Sequence, residues 1–273
     1  MKTRILAAAI FLPPFLVVVL VLPAIWPAVL FGVVSALAAY ELLWSAGLVK
    51  KPRLVIYSAV MGFGVAMWSH FGTHLGVAVL GVLVFSGLLF MEMLISKATL
   101  GFEKICYCFV AGLLIPFLLT ALVRLRSGEN GRFMIVVPFL LCFISDAGAY
   151  FVGRFLGKHK LAPNISPNKT VEGMFGGIVS AVACMLIYGV LLDLFFGFTV
   201  NYLLCVLYGV VGSLAGVLGD LAFSAVKRQT GIKDYGKLIP GHGGVLDRFD
   251  STSVIAPLVE ALLLLLPVAV KTL

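Results

Sequence analysis

The chain has 273 residues, 62% of them hydrophobic and 12% charged, with a formal net charge of +8 and a mean hydropathy of +1.14. A soluble domain is nearer half apolar and a quarter charged, so the composition excludes an ordinary water-soluble globule. The long apolar runs are those of membrane-crossing helices, and they lack the alternation that a β-barrel strand needs. The fold expected is all-α: one polytopic integral membrane helix bundle over residues 1–273. Membrane spans fill 1–132, and the remainder, 133–273, carries the long polar segments 152–172 and 226–252.

About nine transmembrane helices are expected, near residues 5–22, 25–46, 54–70, 74–95, 105–123, 133–151, 173–195, 201–225 and 253–270. The first begins with a charged, then apolar, stretch like that of a secretory signal. Pro-Ala-Ile-Trp-Pro follows where a small-residue cleavage site would stand, so it reads as an uncleaved helix. Cys106, Cys108, Cys142, Cys184 and Cys205 are an odd number placed in or at apolar segments, with no CxxC pair. They read as small buried hydrophobes, not as a disulfide or zinc framework.

Lysine and arginine set the orientation. With the N-terminus cytoplasmic, 16 of the 20 fall on the cytoplasmic side, leaving Arg124, Arg126, Arg132 and Lys271 outside. The long polar segments 152–172 and 226–252 are then cytoplasmic. In this chain a positive charge points to topology and anionic lipid, and no nucleic acid partner is expected. Glu41, Asp146, Glu172, Asp220, Asp247 and Asp250 all fall near cytoplasmic helix ends. Carboxylates there are costly and mark function, and amid so many cations they suggest bound Mg2+ and phosphates. Glu92 and Glu260 read more simply as paired or interface-reaching side chains.

In the first polar segment, Asp146, Tyr150 and Arg154 recur every four residues and share one helix face. Ser166-Pro-Asn168-Lys169-Thr170-Val-Glu172 then offers neutral donors and an ammonium suited to a nucleotide or phosphate, with Thr170 placed to cap the next helix. It is not a P-loop, because the GxxxxGK[ST] spacing is absent. His159, His70 and His74 read as ordinary polar loop residues.

The second segment is denser, holding four of the 12 acidic residues and five of the 20 basic ones between 220 and 251. Asp220, Ser224 and Lys227 share a helix face with Arg228 slightly off it, an arrangement open to two readings: a metal and phosphate site, or a neutralising pair at a helix end. Lys233 and Asp234 follow, and then Pro240-Gly241-His242-Gly243-Gly244 strips side chains from around one imidazole. Glycines let backbone N–H groups approach a ligand. Asp247-Arg248-Phe249-Asp250 closes the stretch with two carboxylates and a guanidinium able to fork onto phosphate. A merely solvated loop does not need this combination.

The run from Ser224 through Lys227-Arg228, Lys233-Asp234, Pro240-Gly-His-Gly-Gly244 and Asp247-Arg248 to Asp250 resembles the signature of the phosphatidate cytidylyltransferases, with no departure from it. The Ser-Asp-x-x-Ala-Tyr and Ser-Pro-Asn-Lys-Thr-x-Glu-Gly elements upstream are similar to that family's in identity and order. The resemblance covers about residues 140 to 252. It implies a multi-pass integral membrane enzyme, in an inner membrane if bacterial, with its active site on the cytoplasmic face. CTP and phosphatidate would give CDP-diacylglycerol and pyrophosphate at the lipid bilayer. Mg2+ would be the cofactor, with a second, monovalent cation left open.

Carried onto this chain, the resemblance makes Asp220, Asp247 and Asp146 the metal ligands. Lys227, Arg228, Lys233, Asp234, His242, Arg248 and Asp250 become the catalytic set. Ser166, Asn168, Lys169, Glu172, Ser224, Gly243 and Gly244 become substrate-binding. A homodimer is compatible with the sequence but specified by nothing in it. Two alternatives stay open, a cytidylyltransferase for another phosphorylated membrane lipid and a membrane transporter. A CDP-alcohol phosphotransferase would carry Asp-Gly-x-x-Ala-Arg, which is absent.

Overall fold

A computed structural model describes residues 10–72, 74–96, 99–236, 238 and 243–271. Among the described residues, seven helices are long and apolar enough to cross a membrane: α2 (Ile25–Ser45), α3 (Pro52–Phe71), α4 (Leu75–Ile95), α5 (Phe102–Ser127), α6 (Gly131–Leu156), α7 (Val171–Phe196) and α8 (Tyr202–Gln229). The first and ninth expected spans correspond to shorter described helices, α1 (Ile10–Val21) and α10 (Thr252–Leu265). At about 1.5 Å per residue, 14 residues reach about 21 Å, short of the roughly 30 Å hydrocarbon core. A one-turn helix, α9 (Leu246–Phe249), lies between α8 and α10 in sequence.

The chain forms two compact units. The first comprises residues 1–128 together with 229–249, and the second comprises 129–228 together with 250–273. The signature loop 229–249 groups with the N-terminal helices.

In the first unit, local chemistry sets the helix ends. Pro52 opens α3 in its first turn, where a missing N–H costs nothing, and Gly72 closes it with a φ of 57°. α5 runs past its expected end at 123 because its arginines find backbone acceptors. Arg124 Nη2 donates to Phe117 O at 3.2 Å. The buried Arg126 donates to Val19 O and Leu22 O, both at 2.9 Å, satisfying carbonyls at the end of α1. α4 has only 11% of its most apolar window buried, the surface expected of a lipid-facing helix. Its Glu92 pairs with Arg53 at 3.4 Å.

In the second unit, α6, α7 and α8 approach closely through glycines, the small-residue packing of membrane helices. A Cβ on Gly177 of α7 would lie 2.9 Å from Ser145 O of α6. One on Gly209 of α8 would lie 2.6 Å from Val182 Cα of α7. The polar segment between α6 and α7 is an antiparallel hairpin of β1 (Lys160–Ala162) and β2 (Ser166–Thr170). Its polar composition predicts loop, and the structure adds these two short strands. Thr170 caps α7 as expected, its Oγ1 accepting from Gly173 N at 3.1 Å. A second small pair, β3 (Phe198–Val200) and β4 (Ala269–Lys271), ties the other end of α7 to the C-terminal segment.

Candidate active site

The second unit brings together much of the upstream candidate set. On α8, Asp220 Oδ2 pairs with Lys169 Nζ of β2 at 2.6 Å, and Asp220 Oδ1 accepts from Ser224 Oγ at 3.2 Å. Lys227, one turn further along that face, is buried. Arg228 Nε donates to Ile165 O at 3.2 Å, so α8 also braces the turn of the hairpin. Gly219 lets α8 pass the start of the C-terminal segment, because a Cβ there would sit 2.9 Å from Asp250 O. The backbone of Asp250 is thereby set against α8 at Gly219. Asp146 lies on α6, in the same unit as Asp220 and Asp250.

Several upstream candidates have a structural duty there. Glu172 accepts from the backbone N–H of Lys158 at 3.1 Å and of His159 at 3.2 Å, and bonds the His159 ring at 2.6 Å. Its carboxylate fixes the chain leaving α6, and His159 is more engaged than a plain loop residue. Tyr150 and Arg154 share the expected face, with Arg154 Nη1 donating to the phenol oxygen at 2.7 Å. Ser166 is half-buried and Asn168 exposed on β2.

The first unit carries the signature loop. Asp247, at the start of α9, is buried, and its Oδ2 accepts from Tyr235 N at 2.9 Å and Gly244 N at 3.0 Å. Gly243 has a φ of 89°, and a Cβ there would stand 3.0 Å from Asp247 Oδ2 and 3.5 Å from Asp234 Oδ1. Left-handed backbone and a close carboxylate together demand glycine. Lys233, Asp234 and Arg248 are exposed around this turn. His242 lies outside the described residues.

One carboxylate was flagged in the sequence without a partner, and the structure supplies one. Glu41 of α2 is 2% exposed, with its oxygens bonded to Val245 N at 2.9 Å and Leu246 N at 2.8 Å. An acidic residue inside an apolar span was the available signal. Its partner lies 204 residues away, a distance at which sequence pattern says nothing.

Two sets of carboxylates and cations, each held by backbone amides or ion pairs at helix ends, suit the handling of phosphates. Among the described residues no three His, Cys, Asp or Glu side chains gather tightly enough to cage a metal. The donor set is nonetheless one of hard carboxylate oxygens. Mg2+ takes one or two of these and completes its shell with water and substrate phosphate.

Comparison with known proteins agrees with this chemistry. A profile described as the cytidylyltransferase family matches residues 2–266. A phosphatidate cytidylyltransferase of Staphylococcus epidermidis is 35% identical over 266 residues, covering 96% of this chain and 97% of the relative. One from Staphylococcus haemolyticus is 34% identical, covering 97% and 99%. One from Staphylococcus aureus is 35% identical, covering 96% and 97%.

Proposed function

The chain belongs to the cytidylyltransferase family, and from that premise we propose how its residues transfer the cytidylyl group of CTP to phosphatidate, giving CDP-diacylglycerol and pyrophosphate. The observation that carries the reading is the unbroken signature from Ser224 to Asp250. Its central acid, Asp247, is buried and held on two backbone amides. A carboxylate buried this way in a membrane protein is costly and marks a functional candidate.

The nucleophile is an oxygen of the phosphatidate phosphomonoester, whose second pKa near about 6 leaves it largely dianionic at neutral pH. A new P–O bond forms at the α-phosphorus of CTP. The bond from that phosphorus to the α–β bridging oxygen breaks, and pyrophosphate leaves with the electron pair. No base is needed. The difficulty is to bring two polyanions together, which is met by charge neutralisation and positioning. In the second unit, Lys169, Lys227 and Arg228 offer cations, with Ser166, Asn168 and Ser224 as neutral donors. In the first, Lys233 and Arg248 offer cations around the glycine turn. Asp247 in the first unit, and Asp220 with Asp146 and Asp250 as further candidates in the second, are the carboxylates that would offer oxygens to Mg2+. The ion would supply further neutralisation of the triphosphate. His242 is assigned to phosphate contact or orientation.

The test is transfer of label from CTP into organic-extractable lipid by the purified protein. Transfer is expected to require phosphatidate. Equal transfer to another phosphorylated lipid, with none to phosphatidate, would move the assignment to that substrate.

The proposed site faces the cytoplasm, where CTP is found and where the positive-inside count places 152–172 and 226–252. After replacement of the native cysteines, a cysteine at Lys233 should react with an impermeant maleimide from the cytoplasmic side only. One at Glu129 should react from the opposite side only. The reverse pattern would invert the topology.

A further inference from the structure

Glu41 has no place in the signature, yet the signature loop is built on it. It stands where α2 widens into a π-turn over Glu41–Ser45, a local distortion often found at functional sites. Its carboxylate is almost fully buried. Oε1 accepts from Val245 N at 2.9 Å and Oε2 from Leu246 N at 2.8 Å. The preceding amide, Gly244 N, goes to Asp247 Oδ2 at 3.0 Å. Three successive backbone N–H groups, 244 to 246, are therefore each held by a carboxylate. Two of those bonds come from Glu41 and one from the acid that follows the turn.

The glycines around Glu41 fit the same purpose. A Cβ at Gly244 would lie 2.5 Å from Glu41 Oε2, and one at Gly236 would collide with Oε1. Two glycines of the loop thus make room for this carboxylate. Both oxygens face N–H donors, which is the environment of an anion's acceptor and not that of a cation's ligand.

We propose that Glu41 is the positioning residue of the signature loop. Delivered by a transmembrane helix, its carboxylate clamps the 244–246 turn and so fixes the direction in which Asp247 and Arg248 are presented to the substrate phosphates. It acts through Asp247 and touches no reacting atom. The inference rests on the cytidylyltransferase reading for what is positioned, and on the loop geometry alone for the clamp.

The test uses the full-length protein in nanodiscs with Glu41→Gln, Glu41→Asp and Gly244→Ala. Gln presents one acceptor and one donor, so one of the two amides loses its partner. Asp keeps the charge but is one methylene short of both amides. Gly244→Ala drives a methyl group into the carboxylate from the loop side, and it probes the clamp if a Glu41 variant does not fold. Hydrogen exchange of peptides spanning 243–249, read without substrate, is expected to rise about ten-fold or more in all three, an opening of roughly 1.4 kcal/mol.

With substrates, kcat is expected to fall roughly 10²-fold with KM for CTP within about three-fold, and Asp is expected not to rescue it. Unchanged exchange would overturn the clamp. A raised KM for CTP at constant kcat, or a loss of kcat with unchanged exchange, would make Glu41 a substrate or metal contact and overturn the proposal. If the wild-type protein did not turn over CTP, the reading of the reaction would fall, while the exchange arm would still decide the clamp.

Discussion

Replacing Asp247 with Asn is expected to lower kcat by roughly 10²–10³-fold while leaving the fold nearly intact. The carboxylate is buried, and its Oδ2 accepts from both Tyr235 N and Gly244 N. The carbonyl oxygen of Asn is able to take that position and keep both bonds. The two bonds that hold the turn to this side chain therefore survive while the negative charge is lost. If that charge serves to hold a cation against the triphosphate, transfer collapses with little change in thermal midpoint or in the exchange of residues 243–249. An Asp247→Asn protein with wild-type kcat would remove this acid from the chemistry. A protein that lost activity and melted together would mark Asp247 as a purely structural acceptor.

A large effect on stability is expected at Gly209. A Cβ there would stand 2.6 Å from Val182 Cα and 2.8 Å from Val182 N, and backbone does not swing aside as a side-chain tip would. Gly209→Val should destabilise the second unit by about 3 kcal/mol, the upper part of the usual overpacking cost. That corresponds to a fall on the order of 10 °C in the thermal midpoint. Gly209→Ala should fall between. Because α7 and α8 both end in residues of the candidate site, activity at moderate temperature should decline in the same order. A Val variant as stable as wild type would mean that α7 and α8 do not approach through this glycine.

The contrast between these sites shows how much was legible in the chain. α3, α4 and α7 start and stop within a few residues of expectation, because Pro52, Gly72 and Gly197 punctuate uninterrupted apolar runs. The Thr170 cap was readable for the same local reason. The β1–β2 hairpin was not, because strands of three and five residues containing Pro167 show no alternation to read. Nor was the reach of α5 through Arg126, since a buried guanidinium is tolerable only when distant carbonyls receive it. Which small residues meet across helices is likewise absent from a hydropathy pattern, so the glycine contacts of α6, α7 and α8 had to be seen. In the site, residue types and spacing identified Asp220, Lys227, Asp247 and their neighbours. They could not show that Lys169 would pair with Asp220, that Glu172 would be occupied by the backbone of its own loop, or that Glu41 would hold residues 245 and 246.

The central claim concerns which phosphorus moves and which leaves. It is tested most directly by giving the purified, reconstituted protein phosphatidate with CTP labelled either at the α- or at the γ-phosphorus. The account predicts that α-label enters the lipid phase in step with phosphatidate consumed. The γ-label should stay in the aqueous phase as pyrophosphate in equal amount, and both should be lost together in Asp247→Asn. Label from the γ-position appearing in lipid, or pyrophosphate released without any lipid product, would contradict cytidylyl transfer and make the protein a kinase or a nucleotide hydrolase instead.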